Sequence, residues 1–296
     1  MIKNLPDDLQ QGIKKSLDEK LENNSTLIDF KTIAGGCINS GGRLSTDHGD
    51  YFLKWNDSKR FPNMFEKEAL GLALLKKSDT MKIPSVIAVG ETKQNQFLIL
   101  DFIESGRPTK SYWRELGRGL ANLHKKISPT FGLDHDNYIG SLPQSNLQVD
   151  NWIDFFIQSR IHPQLKLAVD AGALEVNQVK KFERLFNKLP SLFPIEKPAL
   201  LHGDLWSGNV LVDHHGDAVL IDPAVYFGHR EMELAYTRLF GGFESNFYGS
   251  YFEESPVAPG FNNRVDIYNL YPLLVHVNLF GGGYANQVAA ILNRFA

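Results

Sequence analysis

Three side chains able to act on a phosphate lie close together between residues 200 and 222, in the stretch LLHGDLWSGNVLVDHHGDAVLID. Asp204 is followed five residues later by Asn209, then by the apolar run Val210-Leu211-Val212, a His-Gly-Asp turn, a second run Val219-Leu220-Ile221, and Asp222. Asp and Asn are common turn formers, and each of the three taken alone reads as that. Together they fit phosphoryl transfer, whose barrier falls through positioning and charge neutralisation, and which needs one carboxylate for the nucleophile and oxygen ligands for a divalent cation. Asp204 is read as the acceptor of the attacking hydroxyl's proton, and Asn209 and Asp222 as ligands for Mg²⁺ beside nucleotide phosphates. Two short strands turning at Gly216-Asp217 would bring the sequence-distant ligands to one spot. Leu211 and Ile221, on the two apolar runs, are assigned to the nucleotide.

The elements that must position these groups can be read upstream. Residues 35–42 are GGCINSGG, and four glycines in eight positions let backbone N–H groups approach a phosphate closely. Gly35, Gly36, Cys37, Ile38 and Asn39 are therefore assigned to the nucleotide, a glycine-rich hairpin turn being the alternative. No Gly-Lys-Ser/Thr closes the loop, so it is not a Walker A motif. Strand-like runs lie on either side, at 27–34 and 42–47, and a third at 51–55 is joined to the second by His48-Gly49-Asp50. The third places Lys54 between Leu53 and Trp55, which point to the opposite face at a period of two. In kinases a lysine on this strand reaches the phosphates and pairs with a glutamate of the next helix. Residues 64–77 are helical by pattern, with Phe65, Leu70, Leu72, Ala73 and Leu74 as the apolar side and Glu66 and Glu68 as the acids. Runs at 85–90 and 96–101 bring the strands to five, and Leu5, Leu9, Ile13, Leu17 and Leu21 predict a leading packing helix over 5–23. The break at residues 104–108 divides an N-terminal lobe, 1–103, from a C-terminal lobe, 104–296, and the backbone at Asp101 and Ile103 is assigned to the adenine.

The second lobe reads as mostly helical. Helices are expected at 113–125, 152–172 and 176–189, with a turn-rich loop at 131–149. His124 reads as a helix-terminal or packing histidine. Past Asp222 the chain runs PAVYFGHREMELAYTRLFGGF; His229, Arg230 and Glu231 follow closely and are assigned to the substrate, a mixed-charge helix start being the alternative, and Glu233 opens a helical run to Phe240. Asp-Pro-Ala replaces the Asp-Phe-Gly that opens a long activation loop in protein kinases, and His202-Gly203-Asp204 lacks the arginine that receives a phosphorylated loop. Both features favour a kinase of small molecules. The expected fold class is α+β, a bilobal protein-kinase-like fold with a five-stranded antiparallel sheet and one main helix in the N-lobe and a mostly helical C-lobe.

At LHGDLWSGN and IDPAVYFGHRE the chain resembles the fructosamine kinase, or ketosamine-3-kinase, family, relatives of the aminoglycoside phosphotransferases. GGCIN, FEKEA, FGLDHDNYIG with PQSN, NW-x2-FF with Arg160, LFGGF and YNLY-x2-LLVHVNLFGGGY extend the likeness over nearly the whole chain. The resemblance implies Glu68 as the helix glutamate, Lys54 as the ATP lysine, Asp204 as the base, Asn209 and Asp222 as metal ligands, and Trp206 as a flat face toward the sugar. It also implies the activity: ATP-dependent phosphorylation of a ketosamine at the hydroxyl on carbon 3, free or on a protein lysine, giving an ester that breaks down to free the amine. Glu233 and Tyr236 depart from the Asp and Met that members often carry.

Composition narrows the field further. With 31 basic and 34 acidic residues in 296, the chain has a formal charge of −3 and no basic block, which disfavours a nucleic-acid partner. No run approaches a membrane span and the N-terminus has no apolar signal region, so no membrane partner is expected. The single cysteine, Cys37, fits a reducing, cytoplasmic setting and allows either a monomer or a homodimer linked by oxidation. Two alternatives stand beside the ketosamine kinase: a kinase of another hydroxylated amine such as an aminoglycoside, choline or homoserine, and a nucleotide-binding pseudokinase.

Overall fold

The computed structural model describes residues 2, 5–33 and 39–295 of the chain. It divides into two compact units, Met1–Thr109 with Leu211–Asp222, and Lys110–Val210 with Pro223–Ala296. The division read from the sequence at 103/104 thus differs in two respects: the first unit runs on to Thr109, and the hairpin segment Leu211–Asp222 belongs with it. Lys82 explains why, since its Nζ lies 2.7 Å from both Asp213 Oδ2 and Asp217 Oδ2 and ties the hairpin turn to the segment before the fourth strand.

In the first unit α1 (Asp7–Leu21) precedes β1 (Leu27–Thr32), β2 (Ser40–Thr46) and β3 (Gly49–Asp57). Next come α2 (Met64–Lys77), β4 (Val86–Glu91) and β5 (Asn95–Asp101). The strands form one antiparallel sheet in the order β1-β2-β3-β5-β4. Leu9, Ile13 and Leu17 recur at helical spacing and are fully buried, and they close a core with Phe30, Leu44, Leu53, Phe97 and Ile99 from the sheet. A Cβ at Gly90 would sit 2.3 Å from the Phe97 ring, so this core requires glycine there. Helix α2 has the expected limits but a different apolar face: Met64, Phe65, Gly71, Leu72 and Leu75 are buried, whereas Leu70 is exposed. Leu70 lies off the face that meets β4 and β5.

The second unit begins with α3 (Tyr112–His124). The stretch read as a loop at 131–149 contains two short strands, β6 (Asn137–Ile139) and β7 (Leu142–Gln144), too brief to show an alternating pattern. Helix α4 (Trp152–Phe155) passes through a π turn (Phe156–Ile161) into α5 (His162–Asp170), followed by α6 (Val176–Phe186) and α7 (Leu189–Leu192). After β8 (Ala199–Leu201) come the hairpin strands β9 (Val210–Val212) and β10 (Ala218–Leu220), then β11 (Tyr226–Gly228), which pairs antiparallel with β8. Helices α8 (Arg230–Leu239), α9 (Ser245–Glu254), α10 (Phe261–Phe280) and α11 (Tyr284–Phe295) complete the chain. The core is aromatic at its centre, with Phe193 and Tyr268 stacked at 4.5 Å and Trp152, Phe155, Phe156 and Tyr226 around them. Among the described residues no helix is long and apolar enough to cross a membrane.

Candidate active site

The first unit supplies a buried lysine between two carboxylates. Lys54, 6 % exposed on β3, donates to Glu68 Oε1 of α2 at 2.8 Å and to Asp222 Oδ1 at 2.5 Å. Burial by itself would lower the lysine's pKa; the charges of Asp222 and Glu68 and its hydrogen bonds to both outweigh that and hold it above the ordinary value. Glu68 is shifted upward as well, because burial and the neighbouring charge of Asp222 work against its ionised form more strongly than Lys54 favours it. Burial sets the Glu68 shift and the two carboxylates set that of Lys54, which stays charged between them. The helix acid is thus Glu68; Glu66 lies on the exposed side of α2.

Asp222 follows β10 with φ +55°, a left-handed conformation that costs energy for a residue with a side chain and that Asp tolerates better than most. The hairpin before it turns at Gly216, φ +84°, and is braced by Asp213, whose Oδ1 accepts the N–H groups of His215 and Asp217 at 3.0 and 2.9 Å. Burial would raise the pKa of Asp213, but Lys82 and these backbone donors hold it down at about 2. Leu211 lies half-buried on β9, and Ile221 half-buried after β10. At the end of β5, Asp101 accepts from the Ser85 N–H with Oδ2, and its own N–H donates to the Ser85 carbonyl, each at 3.0 Å. Ile103 is half-buried beyond the strand. Asn39 Oδ1 accepts from Asn56 Nδ2 at 2.8 Å, whereas Gly35, Gly36, Cys37 and Ile38 fall outside the described residues.

The second unit supplies the loop that carries Asp204. Asn209 Nδ2 donates both to the Asp204 carbonyl and to Asp204 Oδ2, at 2.9 Å each. With its amide nitrogen engaged, the oxygen of Asn209 is the atom suited to a cation. The other carboxylate oxygen, Asp204 Oδ1, accepts from the Tyr236 hydroxyl at 2.8 Å. Just before it, Gly203 has φ +85°, and a Cβ there would lie 2.0 Å from the Ala224 carbonyl oxygen. The loop backbone is gripped by Glu233, which accepts from the N–H groups of His202 at 3.1 Å and Gly203 at 2.7 Å. His124 Nε2 lies 2.9 Å from the same carboxylate and its Nδ1 2.7 Å from the Tyr251 hydroxyl. Burial would raise the pKa of Glu233, but the bond and charge of His124, the charge of His202 and the Gly203 donor lower it. Glu233, Tyr236 and His124 are thus parts of the site that reasoning from the sequence left outside it. The legible signal was the spacing of 233 and 236, one helical turn apart on α8.

Trp206, 38 % exposed, meets the edge of Phe240 with ring centroids 6.3 Å apart. The other residues assigned to the substrate are engaged elsewhere. His229 is fully buried, with Nε2 3.2 Å from the Pro194 carbonyl and Nδ1 3.2 Å from the Tyr268 hydroxyl. Arg230 forms two bonds to Glu196, at 2.7 and 2.8 Å, and donates to Ser255 and Pro256. Glu231, also fully buried, is paired in bidentate fashion with Arg264 at 2.6 and 2.7 Å. In this structure the three fasten α8 to its neighbours.

The sequence matches the fructosamine kinase family over residues 9–296. It is 41 % identical over 291 residues, 96 % of either chain, to a protein of Synechocystis sp. named "Probable ketoamine kinase". It is 40 % identical over 270 residues to the chloroplastic protein-ribulosamine 3-kinase of Arabidopsis thaliana, covering 89 % of this chain and 81 % of that one. The fold superposes on a crystal structure from Haemophilus somnus 129PT, named as a candidate fructosamine-3-kinase, with TM-score 0.89, 27 % identity and 97 % of each chain covered. A more distant match is an aminoglycoside phosphotransferase, APH(4)-Ia, solved in a ternary complex with AMP-PNP and hygromycin B. At TM-score 0.59, 18 % identity and coverage of 95 % of this chain and 98 % of that one, it shares the protein-kinase-like architecture. The chain belongs to the fructosamine kinase family.

Proposed function

We propose that the protein transfers the γ-phosphoryl group of ATP to the 3-hydroxyl of ketosamines, the rearranged adducts of sugars with amines, free or on protein lysines, and so serves deglycation in a reducing cytoplasm. The reading is carried by one observation: a chain of this family has Lys54, Glu68, Asp204, Asn209 and Asp222 all present, with Lys54 held between its two carboxylates in the first unit and Asp204 bonded to Asn209 in the second. Lys54 would neutralise the nucleotide phosphates, anchored from behind by Glu68. Asp204 would accept the proton of the attacking hydroxyl. The oxygen of Asn209 and the carboxylate of Asp222 would hold Mg²⁺, which when bound supplies charge neutralisation at the phosphates. Trp206 offers the exposed flat face that a sugar's C–H surface requires.

The test is turnover of purified protein with Mg²⁺ and ATP on free and lysine-bound ribulosamine and fructosamine, with an aminoglycoside and choline as control acceptors. Phosphate appearing on the ketosamine 3-hydroxyl, and lost in Asp204→Asn, is the expected result. Transfer only to the controls, or to no acceptor, rejects the assignment.

A further inference from the structure

One face of α8 addresses the loop that carries the base. Glu233 and Tyr236 lie one helical turn apart; the first holds the loop's backbone N–H groups, and the second reaches the Asp204 side chain. We propose that Tyr236 is a positioning residue for phosphoryl transfer, its phenol O–H fixing the plane of the Asp204 carboxylate so that the base meets the acceptor hydroxyl in one orientation. The inference rests on the kinase reading above.

A carboxylate on a short side chain turns freely about its last torsion unless both oxygens are held. Here Asn209 engages Oδ2 at 2.9 Å and Tyr236 engages Oδ1 at 2.8 Å. Asn209 is an uncertain anchor on its own, because its amide nitrogen is divided between the Asp204 carbonyl and side chain and its oxygen is the candidate cation ligand. The Tyr236 ring is fixed: it is buried and packs against Phe240 at 6.1 Å. Other titratable groups nearby are committed elsewhere. The Tyr271 hydroxyl of α10 donates to Gln144 Oε1 at 2.6 Å, the His202 Nδ1 accepts the Asp204 backbone N–H at 3.3 Å, and Glu233 serves the backbone. Tyr284 of α11 is a further electrostatic neighbour of Tyr236. Burial, and then the charge of Asp204, keep the Tyr236 phenol protonated well past the usual tyrosine range, so the donor persists at any working pH.

The test is Tyr236→Phe, which removes the hydroxyl and keeps the ring. Steady-state kinetics with a ketosamine acceptor should show kcat down about tenfold, the loss expected for one hydrogen bond to a charged group, with both KM values within about twofold of the parent. In parallel, a double-mutant cycle with Asp204→Ala, read by urea unfolding, should show non-additive losses, because the bond the two residues share can be lost only once. Additive losses overturn the proposal even if kcat falls, since the effect then arrives by another route. Non-additive losses with unchanged kcat overturn it too, since the bond is then without consequence for the chemistry. Should the parent protein phosphorylate no ketosamine, the assigned activity fails while the cycle still decides whether Tyr236 governs Asp204.

Discussion

Lys54 Nζ lies 2.5 Å from Asp222 Oδ1, a contact made across 168 residues of sequence. The carboxylate assigned to the cation is therefore already balanced by a positive charge, and arrival of a metal–nucleotide complex would give Lys54 phosphates to pair with instead. Lys54→Met should lower kcat/KM by at least about a hundredfold, as expected when preorganised charge at the phosphates is lost. It should also destabilise the fold by roughly 3–5 kcal/mol, because Glu68 is left buried without its ammonium. Glu68 has a raised folded pKa, so its protonated form is favoured in the native state; the variant should recover stability as pH falls toward that pKa. Urea midpoints at pH 7 and pH 5, compared with the parent, check both the loss and its recovery.

Acid should weaken the native protein in a defined order. His229, Glu233 and Asp213 all have folded pKa values below their ordinary values of 6.5, 4.5 and 3.8, so each binds fewer protons folded than unfolded. The stability they contribute is present above those ordinary values and is lost as pH falls, first through the buried neutral imidazole of His229, then through Glu233, and last through Asp213, down to about 2. Asp213→Asn should flatten the stability curve below pH 3.8 and lower the part above it by a constant amount. A parallel pair of curves would contradict this.

Glu231 offers a clean separation of fold from substrate. Its carboxylate is fully buried against Arg264, so Glu231→Gln should lower the thermal midpoint, with a cost of roughly 3 kcal/mol for leaving the guanidinium without its counter-charge. KM for the acceptor should stay near the parent value in the fraction that folds. A raised KM at unchanged stability would return Glu231 to the substrate.

Gly203→Ala tests the loop itself. The left-handed φ of +85° and the 2.0 Å approach to the Ala224 carbonyl leave no place for a methyl group. A stability loss of roughly 3 kcal/mol is expected from strain and overpacking together. Because Asp204 is the next residue, kcat should fall more steeply than the folded fraction, which circular dichroism and initial rates on one preparation would reveal.

The residues proposed for the phosphates were legible because their signals are local. Lys54 stands out as a lysine inside an apolar strand, and Asp204, Asn209 and Asp222 keep a characteristic spacing in sequence around a hairpin. Glu68 could not be separated from Glu66 by pattern; burial separates them. His229, Arg230 and Glu231 were placed at the substrate because they follow Asp222 in sequence, yet Arg230 and Glu231 meet partners 34 and 33 residues away, which no local pattern records. Lys82 and Asp213, 131 residues apart, were hidden for the same reason. Tyr236 was visible only as an unusual residue one helical turn from Glu233, since which loop that helix face would meet has no signature until the fold brings the two together.

The π turn at Phe156–Ile161 carries a consequence for how this helix tolerates change in length. A wide turn holds one residue more than an ordinary one, and here it buries the guanidinium of Arg160 against the rings of Phe155 and Tyr226, 4.5 and 3.9 Å from their centroids. Deleting a single residue there would restore regular winding and leave Leu165 and Ala168 facing the core, whereas the same deletion in the regular turns of α5 would rotate everything beyond it by about 100° around the axis.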